Sequence, residues 1–186
     1  MKKKLLTLLQ SIALILTSTV TVFAESEEDT FAFDGINYKI TSIGDTNTVE
    51  VSSNSSYSGN TVTIPETVTS TGGTTYTVTS ITNGAFSDNS IIETVILPSS
   101  ITEIGDIAFM GSSKIQTIVC KADNRPTLGD NVFKNCSSIK IVQVPASSVE
   151  SYKTSNGRKD TEFWRILLSL FLLVRYTFIK EFRIKW

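Results

Sequence analysis

The chain of 186 residues is nearly neutral overall, with 17 Lys plus Arg against 18 Asp plus Glu, and it contains no His and only 2 Cys. The missing His removes the usual general base, the His-activated Ser or Cys nucleophile, and most zinc and copper sites at once. Residues 25–157 carry 7 Lys plus Arg against 15 Asp plus Glu, a net of −8, which argues against nucleic acid because phosphate binding needs clustered cations.

The N-terminus reads as a targeting segment. Lys2-Lys3-Lys4 precedes an apolar stretch over 5–16, Thr-rich sequence, and Val22-Phe23-Ala24 with small residues at the cleavage positions. This predicts a signal peptide over 1–24, cut after Ala24, and a secreted or cell-surface location; the apolar core is shorter than a membrane span needs. What remains is a single domain's worth of chain.

Residues 25–60 are expected to form a leader and an N-terminal β cap. Glu25, Glu27, Glu28 and Asp29 read as solvated surface. Half of the residues over 41–80 are Ser or Thr, yet Ile43, Val49, Val51, Val62, Ile64, Val68, Tyr76 and Val78 punctuate them, which suits strands better than disorder. Gly72-Gly73 marks an insertion in which Thr75-Tyr76-Thr77-Val78 is the second arm of a hairpin.

Residues 61–157 repeat. Phe86, Phe109 and Phe133 lie 23 and then 24 residues apart, and each is followed at six, nine and eleven residues by an apolar ladder: Ile92, Val95, Leu97; Ile115, Ile118, Cys120; Ile139, Val142, Val144. Ile81, Ile104 and Leu128 precede the Phe residues by five positions, and Pro65, Pro98 and Pro145 each follow a strand triplet, where a ring without an N–H ends ladder pairing. The period and the apolar-x-x-apolar-x-apolar spacing predict a mostly β (α/β) chain. It forms a right-handed leucine-rich-repeat solenoid of about three full coils, led by a degenerate coil and the strand-rich cap. No coil can bury its own apolar side, so the Phe residues should stack into one buried spine and the ladders into another.

The phrases from Val78 to Phe86 (VTSITNGAF), from Leu97 to Phe109 (LPSSITEIGDIAF) and from Val132 to Cys136 (VFKNC) resemble the BspA-type leucine-rich repeats of bacterial and protozoan surface proteins. The resemblance covers about residues 31–157. It implies secretion to the cell surface and adhesion to host proteins or other cells, and it brings no catalytic motif and no cofactor.

Catalysis is poorly supported on the residues themselves. Glu103 with Asp106, and Asp130, could be offered as a glycosidase carboxylate pair. However, Asp106 and Asp130 stand three residues before a repeat Phe, where Asn83 stands in the first copy, so a repeated turn position accounts for them. No catalytic, cofactor-binding or metal-ligating residue is assigned. Cys120 replaces a ladder residue and Cys136 takes the position of Asn89 and Ser112; the pair reads as two buried or semi-buried thiols, with a bridge as the alternative in an oxidising compartment.

The candidate binding residues are the outward neighbours of the ladder: Thr94, Ile96, Thr117, Val119, Lys121, Ile141 and Gln143, continued by Thr61 and Thr63. This neutral, mildly apolar stripe suits a protein partner, such as a host matrix or cell-surface protein. Equally, Thr, Val and Ile are simply good strand formers. A structural element of a surface layer, without a soluble ligand, is the alternative from another class.

The last segment, 158–186, is basic, with 7 Lys plus Arg against 3 Asp plus Glu, and holds an apolar stretch over 163–179. Three readings stand: a short membrane anchor flanked by Lys180, Arg183 and Lys185, a helix capping the end of the last coil, or a tail unrelated to the domain. Arg165 and Arg175 count against the anchor, since each would have to snorkel.

Overall fold

A computed structural model describes residues 25–27, 29–149 and 152. The expected signal peptide over 1–24 and tail over 158–186 lie outside the described residues. Within them the regular elements are almost all strands: β1 (Thr30–Phe33), β2 (Ile36–Ser42), β3 (Thr48–Val51), β4 (Thr61–Thr63), β5 (Thr67–Thr69), β6 (Thr75–Ile81), β7 (Thr94–Leu97), β8 (Glu103–Ile104), β9 (Thr117–Cys120), β10 (Thr127–Leu128) and β11 (Ile141–Gln143), then a 3-10 turn at Ala146–Ser148. The mostly β reading of the sequence holds.

The cap begins as a hairpin. Asp34 and Gly35 both have positive φ, 50° and 75°, which gives the two-residue turn whose twist matches that of paired strands. β2 then buries Ile36, Tyr38 and Ile40 in strict alternation and pairs antiparallel with β3. β3 pairs parallel with β6, and β5 folds back antiparallel on β6, so the hairpin expected around Gly72-Gly73 is present with Thr75–Val78 opening its second arm. The short strands β8 and β10 continue this first sheet in parallel.

A second sheet runs β4, β7, β9, β11, all parallel and in register: Val62, Val95, Ile118 and Val142 form one inward row, and Leu97 and Cys120 another. Each copy contributes one strand to this second sheet. A second strand follows in the first sheet, where Ile81 ends the seven-residue β6 and Ile104 and Leu128 each end a two-residue strand, because those apolar residues point inward against the ladder from the opposite side.

Between the sheets lies the spine. The rings of Phe86 and Phe109 stack at 5.3 Å with 6° between planes, and Phe109 and Phe133 at 5.3 Å and 5°. Tyr57 meets Phe86 edge-on at 5.9 Å, which identifies it as the aromatic of the degenerate leading copy. The first two ladders are buried, whereas Ile139, Val142 and Val144, in the last copy among the described residues, are partly buried.

Two left-handed backbone positions recur per copy: Gly84, Ile107 and Asn131 at φ 65°, 51° and 58°, and Asp88, Gly111 and Asn135 at φ 55°, 75° and 64°. Gly and Asn tolerate this region, whereas a β-branched side chain is strained there. Replacing Ile107 with Asn, the residue of the next copy, is therefore expected to stabilise the chain by about 1 kcal/mol after some loss of apolar contact. Urea unfolding checks it, and an unchanged or lower midpoint at constant slope would contradict the strain argument.

Candidate binding surface

The four parallel strands present two outward rows. One is Thr61, Thr94, Thr117 and Ile141, the other Thr63, Ile96, Val119 and Gln143, each aligned by the strand register. Because strands in a sheet lie about 4.8 Å apart, each row is a regular ladder of side chains. Thr94, Ile96, Thr117 and Val119 are half-buried by their neighbours, while Ile141, Gln143 and Lys121 are exposed, Ile141 by 46% of its surface. All seven residues expected at a binding face thus lie on or directly beside one sheet, with Lys121 just past the end of β9.

The sequence reading missed a third column. Asn60, Glu93, Gln116 and Lys140 are all exposed and joined through the backbone, the amides of Glu93, Gln116 and Lys140 donating to the carbonyls of Asn60, Glu93 and Gln116 at 2.7, 2.8 and 2.9 Å. The repeat phase could have found it, since these residues stand two positions before the inward Val95, Ile118 and Val142. It adds charge of both signs to one rim of an otherwise neutral face.

The repeated carboxylates have a structural task. Asn83 Oδ1 accepts the amide of Asp106 at 2.7 Å, and Asp106 Oδ1 accepts the amide of Asp130 at 2.6 Å, so side chains at this position tie each copy to the next. A second tie lies three residues after each aromatic. Asn89 donates to the carbonyl of Tyr57 at 2.8 Å, Ser112 to that of Phe86 at 2.7 Å and the Cys136 thiol to that of Phe109 at 3.0 Å. Cys136 therefore occupies a hydrogen-bonding position that any short donor can fill.

Cys120 is also buried, and it is not bridged to Cys136. Its sulfur lies 3.3 Å from the hydroxyl of Tyr152, which itself donates to the carbonyl of Ala122 at 2.9 Å, leaving the thiol as donor in the first contact. Burial, with the Cys120 contact adding to it, raises the Tyr152 pKa. Among the described residues no group of three or more His, Cys, Asp or Glu could hold a metal ion, and no helix is long and apolar enough to cross a membrane.

Several solved structures are similar. A leucine-rich repeat protein from Bacteroides capillosus is 21% identical over 64% of this chain and 100% of that one, with a TM-score of 0.47. A leucine rich cell surface protein from Faecalibacterium prausnitzii is 18% identical over 68% of this chain and 45% of that one, at 0.46. The pneumococcal vaccine antigen PcpA is 19% identical over 67% of this chain and 40% of that one, at 0.41. The chain therefore spans under half the length of the latter two. None of the curated proteins matches it. The pattern described as the BspA type Leucine rich repeat region matches residues 60–156 in six copies, spanning the stacked Phe spine and the parallel strands; the chain belongs to the BspA-type leucine-rich-repeat family.

Proposed function

We propose that the chain is a secreted or surface-displayed, non-enzymatic binding module that adheres to a host matrix or cell-surface protein. The outward face of β4, β7, β9 and β11 makes the contact. The observation that carries this reading is the pair of in-register outward rows, whose apolar members Ile96, Val119 and Ile141 share the outward side of one sheet. Apolar side chains gathered on one face favour a protein surface over a sugar acid or a phosphate. The family membership supports the surface setting, and the sequence of residues 1–24 supports export.

The test is binding of the full chain to immobilised extracellular-matrix proteins and to whole cells, with Ile96, Val119 and Gln143 all changed to Lys in a second preparation. Outward positions should accept Lys without loss of fold, which circular dichroism verifies. Binding should fall at least about ten-fold, equivalent to about 1.4 kcal/mol. Equal binding by the two preparations would sink the assignment to this face.

The alternative, an assembly element, has one observation in its favour. Among the described residues β11 is an edge of the second sheet, and the partly buried Ile139, Val142 and Val144 lie in or beside it. That reading predicts concentration-dependent self-association by sedimentation velocity, in place of binding to a foreign protein.

A further inference from the structure

The β5–β6 hairpin and the chain's own leader make a contact that the binding face does not use. Glu25 reaches across 51 residues of sequence to accept the hydroxyl proton of Tyr76 at 2.7 Å. Tyr76 is 1% exposed, so its ring is core, and its hydroxyl is covered where it meets Glu25. The turn itself is tightly built: Gly73 N–H donates to Ser70 O at 3.0 Å, Ser70 N–H to Thr74 O at 2.9 Å, and Thr74 N–H to Ser70 Oγ at 3.2 Å. The other Glu25 carboxylate oxygen sits against Gly72, where an added Cβ would come within 2.6 Å of it. The leader is held beyond this point as well, since Ser26 N–H donates to Asp29 Oδ2 at 2.7 Å and Asp29 O accepts Ile40 N–H at 2.8 Å.

We infer that the β5–β6 hairpin is a carboxylate receptor, formed by Ser70, Gly72, Thr74 and Tyr76, and that Glu25 fills it in cis to latch the N-terminal strap onto the hairpin. The geometry supports this: the Tyr76 hydroxyl donates to one carboxylate oxygen and the other lies against Gly72, in a turn that also carries the Ser70 and Thr74 hydroxyls, surroundings that favour the ionised acid. Hydrogen bonds from Ser70 and then Tyr76 lower the Glu25 pKa below its ordinary 4.5, while burial and then the Glu25 hydrogen bond push Tyr76 up to about 12. Asp29 is the other charged group acting on Tyr76, and it reinforces the same direction. A lowered carboxylate pKa means the latch is at full strength above about pH 4.5 and is lost as pH falls through the lowered value. Glu25 is also the residue directly after the expected cleavage point, so the strap would close with the new N-terminus of the processed chain.

The experiment is hydrogen exchange and amide NMR on the full chain, comparing it with the Glu25→Ala variant and with a double variant that adds Tyr76→Phe. Exchange over residues 70–76 should quicken about ten-fold in Glu25→Ala. Sodium acetate, against sodium chloride at equal ionic strength, should restore protection and shift the Gly72 amide in Glu25→Ala. It should do neither in the wild type, whose receptor is filled, nor in the double variant. Unchanged exchange in Glu25→Ala would overturn the latch. Faster exchange with no acetate effect would overturn the carboxylate receptor.

Discussion

Replacing Phe109 with Ala is expected to lower stability by about 3–5 kcal/mol. The ring is fully buried and stacked on both faces, with Phe86 and Phe133 each 5.3 Å away. Neither neighbour can close the gap, because the backbone fixes the layers: Phe86 N–H donates to Ala108 O at 2.7 Å and Phe109 N–H to Val132 O at 3.0 Å. The cavity therefore persists, and two aromatic contacts worth about 0.5–1.5 kcal/mol each are lost with the buried area. Tyr57→Ala at the start of the same column should cost less, since that ring is half-buried and meets one Phe edge-on. Urea unfolding followed by circular dichroism measures both. A loss below about 1 kcal/mol at Phe109 would show that the spine is not the cooperative centre of the stack. Since β7 and β9 lie in consecutive copies beside these rings, the same substitution should also blur the register of Ile96 with Val119 and weaken partner binding.

Much of this was legible because a repeat reports on itself. The 23- and 24-residue spacing of Phe86, Phe109 and Phe133 predicted both the spine and the inward rows of Val95, Ile118 and Val142, and the structure has them. The outward rows followed from strand alternation alone. What escaped was held by the backbone. The two-residue strands at Glu103–Ile104 and Thr127–Leu128 are too short to show a period, and they exist because neighbouring copies pair there. The left-handed positions were hidden because Gly84, Ile107 and Asn131 share a conformation without sharing chemistry. Likewise, Asn89, Ser112 and Cys136 look unrelated until each is seen donating to the carbonyl of the preceding aromatic. The Glu25 contact lies outside any repeat, and no local pattern joins it to Tyr76.

Gly105→Ala and Gly129→Ala should each destabilise by about 3 kcal/mol, for a reason unrelated to backbone conformation. A Cβ at 105 would lie 2.8 Å from Asn83 N and 2.9 Å from Thr82 C; at 129 it would lie 2.5 Å from Asp106 N and 2.7 Å from Gly105 C. These are backbone atoms of the preceding copy, so no side chain can swing aside. Relief requires the copies to separate, and that strains the ties at this level: Gly105 N–H to Ile81 O and Gly129 N–H to Ile104 O, both 2.8 Å, and the amides of Asp106 and Asp130 on the side chains of Asn83 and Asp106. The first copy carries Thr82 at this position without conflict, because what precedes it is β3 of the cap, to whose Val51 O the Thr82 N–H donates at 2.9 Å. The two Gly variants, compared with wild type by urea unfolding, should show lower midpoints with the slope preserved. A change within about 0.5 kcal/mol at both sites would mean that the copies can move apart freely, and then neither the Asn83–Asp106–Asp130 ladder nor the in-register binding face could be rigid.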